Sequence, residues 1–173
     1  MRVGYLTGER IYLRPLEEAD QETATAWFDS PFPINGTRAK TFLDEQPVHW
    51  WDQSDHTLVI ARIEDDSPIG GLNLWSENRR IVVLRFRMAP VLDDVDALRA
   101  EAVRIVVPWL RDEHEYMVVE LYTADDEPET VAAAEGVGMK LAYRLREFLA
   151  RPGGRVDELS YVATNPRWEV RDA

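Results

Sequence analysis

Along the chain, the pattern of apolar and polar residues switches repeatedly between the two-residue period of strands and the 3.6-residue period of helices. Polar and apolar residues alternate over 10–14, which predicts a first strand. Apolar residues then recur at helical spacing over 17–29, and a second, shorter helix is predicted over 38–46. The segment 48–55 fits neither period clearly, so no element is predicted there.

Three strand-like runs follow one another, at 57–63, 69–75 and 80–88. The short segments between them are rich in Asp, Ser, Pro and Asn, which favour turns, so antiparallel hairpins are predicted. In the third run apolar residues alternate with Arg85 and Arg87, which predicts that one face of this strand is buried.

A longer helix is predicted from Asp96, where apolar residues recur every three or four positions. Pro108 is expected to kink its last turn, because proline cannot donate to the carbonyl of Arg104. The remaining predicted elements are a strand, a short helix and a hairpin, at 117–123, 128–135, 140–150 and 155–163. This order predicts an α/β (α+β) fold whose mixed, mostly antiparallel twisted sheet has about seven strands, with about four helices.

The composition indicates one domain with a single core. The chain has 173 residues, of which 45% are hydrophobic, and no linker divides it, so 1–173 is predicted to be one domain. The absence of cysteine removes disulfides, thiolate nucleophiles and sulfur-based zinc sites. No signal-peptide core and no run of about 18 apolar residues is found, so we expect a cytoplasmic protein without a membrane partner.

The charge narrows the class of partner. A formal net charge of -12 argues against nucleic acid, because binding to polyanions depends on Lys and Arg. A cationic substrate such as an amine is the easier partner, although acidic residues spread along a chain also serve solubility.

Four segments, in this order, resemble one known family: "LTGERIYLRPLEEAD" (6–20), "SPIGGLNLW" (67–75), "ADDEPETVAAAEGVGM" (124–139) and "LAYRLREFLARPGGRVDELSYV" (141–162). The chain resembles the GCN5-related N-acetyltransferase (GNAT) superfamily, and within it the branch that acetylates ribosomal-protein N-termini and related amines. The resemblance implies transfer of an acyl group from acetyl-CoA to an amine, either of a small molecule or of a peptide N-terminus.

The resemblance also implies where acetyl-CoA binds. The family's diphosphate rests on a glycine-rich turn at the start of the third helix, where free N–H groups and the helix dipole favour an anion. A splayed strand supplies backbone contacts to the rest of the cofactor. The cofactor-binding residues implied in this chain are Phe86, Arg87, Met88, Val95, Asp96, Ala97, Leu98, Arg99 and Asp126.

This chain departs from the family at the phosphate loop. No glycine lies between residues 90 and 101, and three carboxylates do: Asp93, Asp94 and Asp96. We expect one of the three to cap the helix and occupy an N–H group that a diphosphate needs, while the others repel it. Only Arg99 could offset this charge, so weak or absent acetyl-CoA binding is expected.

The catalytic candidates are a carboxylate and two tyrosines. The family often places a tyrosine that acts as a general acid at the position where this chain has Ala134. Tyr122, Tyr143 or Tyr161 could take over this role. Glu120 lies mid-strand and is the candidate general base. The alternatives stay open, because strand tyrosines commonly pack and strand carboxylates commonly face water.

The segment "HWWDQSDH" (49–56) contains metal-compatible residue types, but its spacing matches no known metal motif, so no metal is predicted. Trp50 and Trp51 are candidates for an apolar or cation–π wall around an acceptor amine, and Trp75 is grouped with them. The alternative is that the adjacent indoles fill the core.

Three hypotheses follow. The chain is an N-acyltransferase with a remodelled phosphate site, or an inactive binding or regulatory module on the same fold, or an unrelated α+β ligand-binding protein. A homodimer is also possible, through the exposed edge strand of the last hairpin.

Overall fold

The computed structural model describes residues 6–24, 37, 55–77, 80–89 and 92–168. The predicted helix over 38–46, the later part of the helix over 17–29 and most of the segment 48–55 lie outside these residues.

The described residues form eight strands: β1 (Leu6–Thr7), β2 (Ile11–Pro15), β3 (Asp55–Arg62), β4 (Pro68–Glu77), β5 (Ile81–Met88), β6 (Val118–Ala124), β7 (Lys140–Arg151) and β8 (Gly154–Thr164). Their helices are α1 (Gln21–Ala24), α2 (Val95–Pro108) and α3 (Pro128–Gly136). Short 3-10 turns lie at Glu18–Asp20 and Pro166–Trp168.

The strands form one sheet in the order β1-β2-β3-β4-β5-β6-β8-β7. Every neighbouring pair is antiparallel except β5 and β6, which are parallel. The predicted mixed, mostly antiparallel sheet is therefore confirmed. The counts differ from the prediction: there is one strand more, and within the described ranges two helices, α2 and α3, are longer than a single turn.

The additional strand is β1, which the sequence pattern did not predict because it is only two residues long. The N–H of Gly8 donates to the carbonyl of Ile11 at 2.8 Å and closes the turn into β2. Glu101 of α2 holds this turn, since its Oε1 accepts the backbone N–H of Arg10 at 2.8 Å and of Ile11 at 3.2 Å. A Cβ at position 8 would overlap that same oxygen, so a larger residue there would displace the Glu101 carboxylate from the turn.

A buried ion pair between Arg14 and Asp20 lies in the second part of the segment 6–20. Arg14 and Asp20 are 1% and 2% exposed, and their N–O distances are 2.5 and 2.8 Å. Asp20 also accepts the backbone N–H of Glu17 at 2.8 Å. Buried charges persist when they are paired and hydrogen-bonded in this way, so the pair fixes the path of the chain after β2.

The main core lies between one face of the sheet and helices α2 and α3. Alternate residues of the central strands point into it, among them Leu72, Val82, Leu84, Val119 and Leu121. Helix α2 contributes the residues that its period predicted to be apolar and buried, including Leu98, Ala102 and Val106. The opposite face of the sheet therefore carries the other set of alternating side chains.

Pro108 changes the helix as its missing N–H predicts. The regular α-helix ends at Pro108 and continues as a wider π-helical turn over Trp109–Glu113. The N–H of His114 donates to the carbonyl of Trp109 at 3.1 Å, five residues back.

Candidate active site

The parallel strands β5 and β6 separate part of the way along their length. They share four pairs, from Ile81 with Val118 to Leu84 with Leu121. Beyond these pairs β5 stays paired with β4 as far as Met88, and β6 stays paired with β8 as far as Ala124. A gap therefore opens between two intact antiparallel ladders.

Two hydrogen bonds show which backbone groups of β5 face this gap. The N–H of Ala89 donates to Ile69 of the β4 side at 2.9 Å, and the carbonyl of Arg80 accepts from Val118 of β6 at 2.8 Å. Since backbone groups of a strand alternate in direction, those of Phe86 and Met88 turn toward β6. Of the three predicted contacts on β5, Arg87 turns its backbone toward β4.

The three predicted catalytic residues lie in one polar network on the sheet face opposite the main core. The hydroxyl of Tyr143 donates to that of Tyr122 at 2.9 Å. The carboxylate of Glu120 lies close enough to the hydroxyl of Tyr122 to influence its pKa. The hydroxyl of Ser160, which is fully buried, donates to Oε1 of Glu120 at 2.7 Å.

Tyr122 is held in its neutral, proton-bearing form. Its hydrogen bond with Tyr143, its partial burial and the neighbouring Glu120 carboxylate all raise the pKa of Tyr122 above its ordinary value. This tyrosine therefore keeps its proton across the whole physiological pH range.

The register places two more side chains beside this network. Trp75 pairs with Val83, and Val83 pairs with Glu120, so Trp75 lies on the same face two strands away and is 42% exposed. Arg85 lies over the ring of Tyr122, with its guanidinium carbon 4.9 Å from the ring centroid. Trp50 and Trp51 lie outside the described residues.

Sequence reasoning missed Ser160. The signal was a small polar residue between Leu159 and Tyr161, within the apolar stretch 159–163 of the strand. Its partner could not be identified, because that depends on the pairing of β6 with β8, where Ser160 lies opposite Tyr122. Tyr161, the third tyrosine considered, lies on the other face and donates to Glu135 at 3.0 Å.

The carboxylates around the start of α2 are not arranged as the sequence suggested. Asp94 occupies the N-cap position but makes no side-chain cap hydrogen bond. Its oxygens pair instead with Arg10 at 3.3 Å and with Arg62 at 3.2 Å. The expectation that an aspartate covers the first N–H groups of α2 is therefore wrong for Asp94, since its carboxylate is drawn to two guanidinium groups.

Asp96 caps a different helix. It accepts the backbone N–H groups of Glu129 at 2.8 Å and Thr130 at 3.1 Å, at the start of α3, and the hydroxyl of Thr130 at 2.6 Å. A carboxylate is favourable there because the first N–H groups of a helix have no partner within it. Asp96 is thus not a free charge at the start of α2.

The two remaining charged cofactor contacts, Arg99 and Asp126, belong to an ionic network near the start of α3. Arg99 pairs with Glu127 at 2.5 Å, and Arg151 bridges Glu127 at 2.8 Å and Asp126 at 3.2 Å. Glu127 also accepts the hydroxyl of Thr123 at 2.6 Å, so its charge is shared among several donors. Asp93, in contrast, is exposed and has no ion pair within the part of the chain that the structure describes.

In the described ranges no group of three or more His, Cys, Asp or Glu side chains could hold a metal ion. No helix there has the length and apolar character needed to cross a membrane.

The whole architecture matches solved structures. A protein from Sphaerobacter thermophilus that bears the provisional name of acetyltransferase is 49% identical, with 96% of this chain and 99% of that chain covered and a TM-score of 0.77. This chain belongs to the GNAT family. The predicted membership of the GNAT superfamily is thereby confirmed, whereas the branch that acetylates ribosomal-protein N-termini stays a prediction.

More distant GNAT structures share the fold. An acetyltransferase of this family from Bacillus anthracis is 11% identical over 92% of this chain and 98% of its own, with a TM-score of 0.68. Spermidine/spermine N-acetyltransferase SpeG from Vibrio cholerae is 17% identical over 95% and 98%, with a TM-score of 0.63. No protein-family model and no curated protein matches the sequence.

Proposed function

We propose that this GNAT protein transfers an acetyl group from acetyl-CoA to the amine of a small molecule or of a peptide N-terminus. The observation that supports this best is the gap between β5 and β6, which opens one residue beyond Glu120 of the Glu120–Tyr122–Tyr143 network. Membership of an acetyltransferase family supports the reaction class, whereas the acceptor and the residue roles are our proposal.

The residues at the start of α2 are compatible with a diphosphate. The N–H groups of Val95, Asp96 and Ala97 precede the first intrahelical bond, from Leu98 to Asp94, and Asp94 does not cap them. The charge of Asp94 is paired, and that of Asp96 is used by α3. We therefore expect acetyl-CoA binding to be weakened by the missing glycines and by Asp93, but not abolished.

Acetyl-CoA, when bound, would supply an activated acyl thioester. In the gap, the N–H groups of Phe86 and Met88 would orient and polarise an acyl carbonyl. Glu120 would accept the proton that an ammonium group must lose before it can attack. Ser160 holds one oxygen of Glu120 at 2.7 Å and so fixes the direction of the carboxylate.

Tyr122 and Tyr143 would have different roles in the remaining proton transfer. Tyr122 keeps its proton, since its pKa is raised mainly by the hydrogen bond with Tyr143. Tyr143 is 40% exposed and lies at the outer end of the network, so it is the better candidate to protonate a leaving thiolate.

Calorimetry with acetyl-CoA, followed by a thiol-release assay over a panel of amines, tests the proposal. Binding together with acceptor-dependent release of CoA would support it. The inactive module is the second candidate, favoured by the glycine-free loop and by Ala134 at the usual tyrosine position. It requires that neither binding nor release is detected.

A further inference from the structure

Arg85 is an exposed cation placed at the proposed acceptor site. It lies on the same sheet face as Glu120, and its guanidinium covers the ring of Tyr122 at 4.9 Å. Cation–π contact restricts the position of the guanidinium while leaving its five N–H donors available. Among the described residues no acidic side chain pairs with Arg85.

The diphosphate of acetyl-CoA does not account for this arginine. Helix α2 packs on the face of β5 that carries Val82, Leu84 and Met88. Arg85 alternates with these residues and therefore points to the other face, away from the start of α2. Its partner is expected on the acceptor side of the sheet.

A simple amine is a poor occupant of such a site. An ammonium group approaching Glu120 would also approach Arg85. Repulsion between the guanidinium of Arg85 and a nearby ammonium group disfavours a polyamine, although the whole chain is acidic. A molecule that carries its own anion beside the amine removes this repulsion and gains a charge-assisted contact.

We propose that the acceptor is an amine that also carries a carboxylate a few bonds away, as in a free amino acid, and that Arg85 selects for the carboxylate. This inference depends on the proposed acetyltransferase function. In it Glu120 faces the amine and the planar guanidinium of Arg85 binds both carboxylate oxygens. Tyr122, which contacts both residues, sets the separation between the two subsites.

The test measures kcat/KM for matched acceptors with acetyl-CoA. Each of several free amino acids is compared with its amide and with its decarboxylated amine, and spermidine is included as a polycation. O-phosphoethanolamine beside ethanolamine distinguishes a phosphate from a carboxylate. The wild type is expected to prefer the acids over their amides by about 10- to 100-fold, the usual contribution of a charged hydrogen-bonded pair.

Arg85→Gln is expected to reduce this acid-to-amide ratio toward one, and Arg85→Lys to restore part of it. Arg104→Gln, which removes the same charge from the exposed side of α2, should leave the ratio unchanged. Preference of the wild type for spermidine or uncharged amides, an unchanged ratio in Arg85→Gln, or acetylation of no acid would overturn the inference. In the first two cases the acetyltransferase proposal survives, whereas absence of acetyl-CoA binding ends both.

Discussion

The carboxylate of Glu120 accepts a hydrogen bond from the hydroxyl of Ser160 on β8. A hydroxyl donor orients a carboxylate without neutralising its charge. The sequence identified Glu120, Tyr122 and Tyr143 as separate candidates. It could not show that they touch, because that depends on how β6, β8 and β7 are paired.

Replacing Glu120 by Gln is expected to lower kcat/KM by about 100- to 10,000-fold, the usual contribution of a positioned base. Gln keeps the shape and still accepts from Ser160, so unfolding temperature should change little. Steady-state kinetics with one acceptor measure this loss. Glu129→Gln, on the exposed surface of α3, is the control.

A Glu120→Gln variant with at least about half of the wild-type activity would show that another group takes the proton, since a base contributes far more. Ser160→Ala separates the two roles of the network further. The variant keeps the Glu120 carboxylate but removes the hydrogen bond that fixes its orientation. A moderate loss in kcat with little change in KM is therefore expected.

The aspartates near α2 show where sequence reasoning about charge fails. Asp94 and Asp96 stand beside the helix start in the sequence, but one is paired with Arg10 and Arg62 and the other caps α3. Partners that are distant in the sequence decided both outcomes, and no local rule could reveal them. Asp93 alone keeps the property inferred from the sequence, an exposed negative charge.

Asp93→Ala is therefore expected to tighten acetyl-CoA binding by about two- to fivefold at low salt, the usual effect of one charge near a helix end. Calorimetry at two salt concentrations measures it, and the gain should shrink as salt rises. Glu113→Ala, at the far end of the helix, is the matched control. Equal or weaker binding in Asp93→Ala would show that this charge does not oppose the diphosphate.

At the scale of elements, the closing hairpin was predictable and its irregularity was not. The predicted strands at 140–150 and 155–163 correspond to β7 and β8, joined at Pro152 and Gly153. Within β7 the register shifts between Leu145 and Leu149, and Glu147 has a φ of 49°. Apolar alternation cannot predict such a bulge, since it depends on a partner for the unpaired backbone group.

Asp157 is that partner. It accepts the N–H of Glu147 at 2.7 Å and pairs with Arg144. The backbone hydrogen bond from Glu147, with Arg144 second, lowers the pKa of Asp157 below its ordinary value. A lowered folded-state pKa adds stability above the unfolded value of about 3.9, and this stability is lost as pH falls through the folded value.

Asp157→Asn should therefore unfold at a lower temperature than the wild type near neutral pH, and the difference should narrow as the pH falls below about 4. Thermal unfolding followed by circular dichroism at several pH values measures this. Asp93→Asn, which removes an exposed carboxylate, controls for net charge. A difference that stays constant with pH would mean that the carboxylate charge of Asp157 does not stabilise the bulge.

At the scale of the whole molecule, the sheet leaves β7 at one edge. Leu141 and Phe148 of this strand are 50% and 54% exposed. The homodimer expected from the sequence remains a proposal, and the bulges and basic residues of β7 oppose continuous strand pairing between copies. If two copies associate here, they do so through these apolar side chains.

Phe148→Glu is accordingly expected to shift the protein toward monomer, because it places a charge in the apolar contact. Sedimentation velocity over a range of concentrations reports the change. Met117→Glu alters an apolar side chain of 39% exposure outside β7 and should not shift the equilibrium. A wild type that is monomeric at every concentration would remove the dimer proposal.

The four pairs between β5 and β6 join a five-stranded ladder to a three-stranded one. Because only four residue pairs connect these two groups of strands, the groups can rotate relative to each other. A molecule bound in the open end of the gap would restrict that rotation. Amide deuterium uptake at Val118 and Glu120, whose N–H groups face β5, then reports whether the gap is occupied.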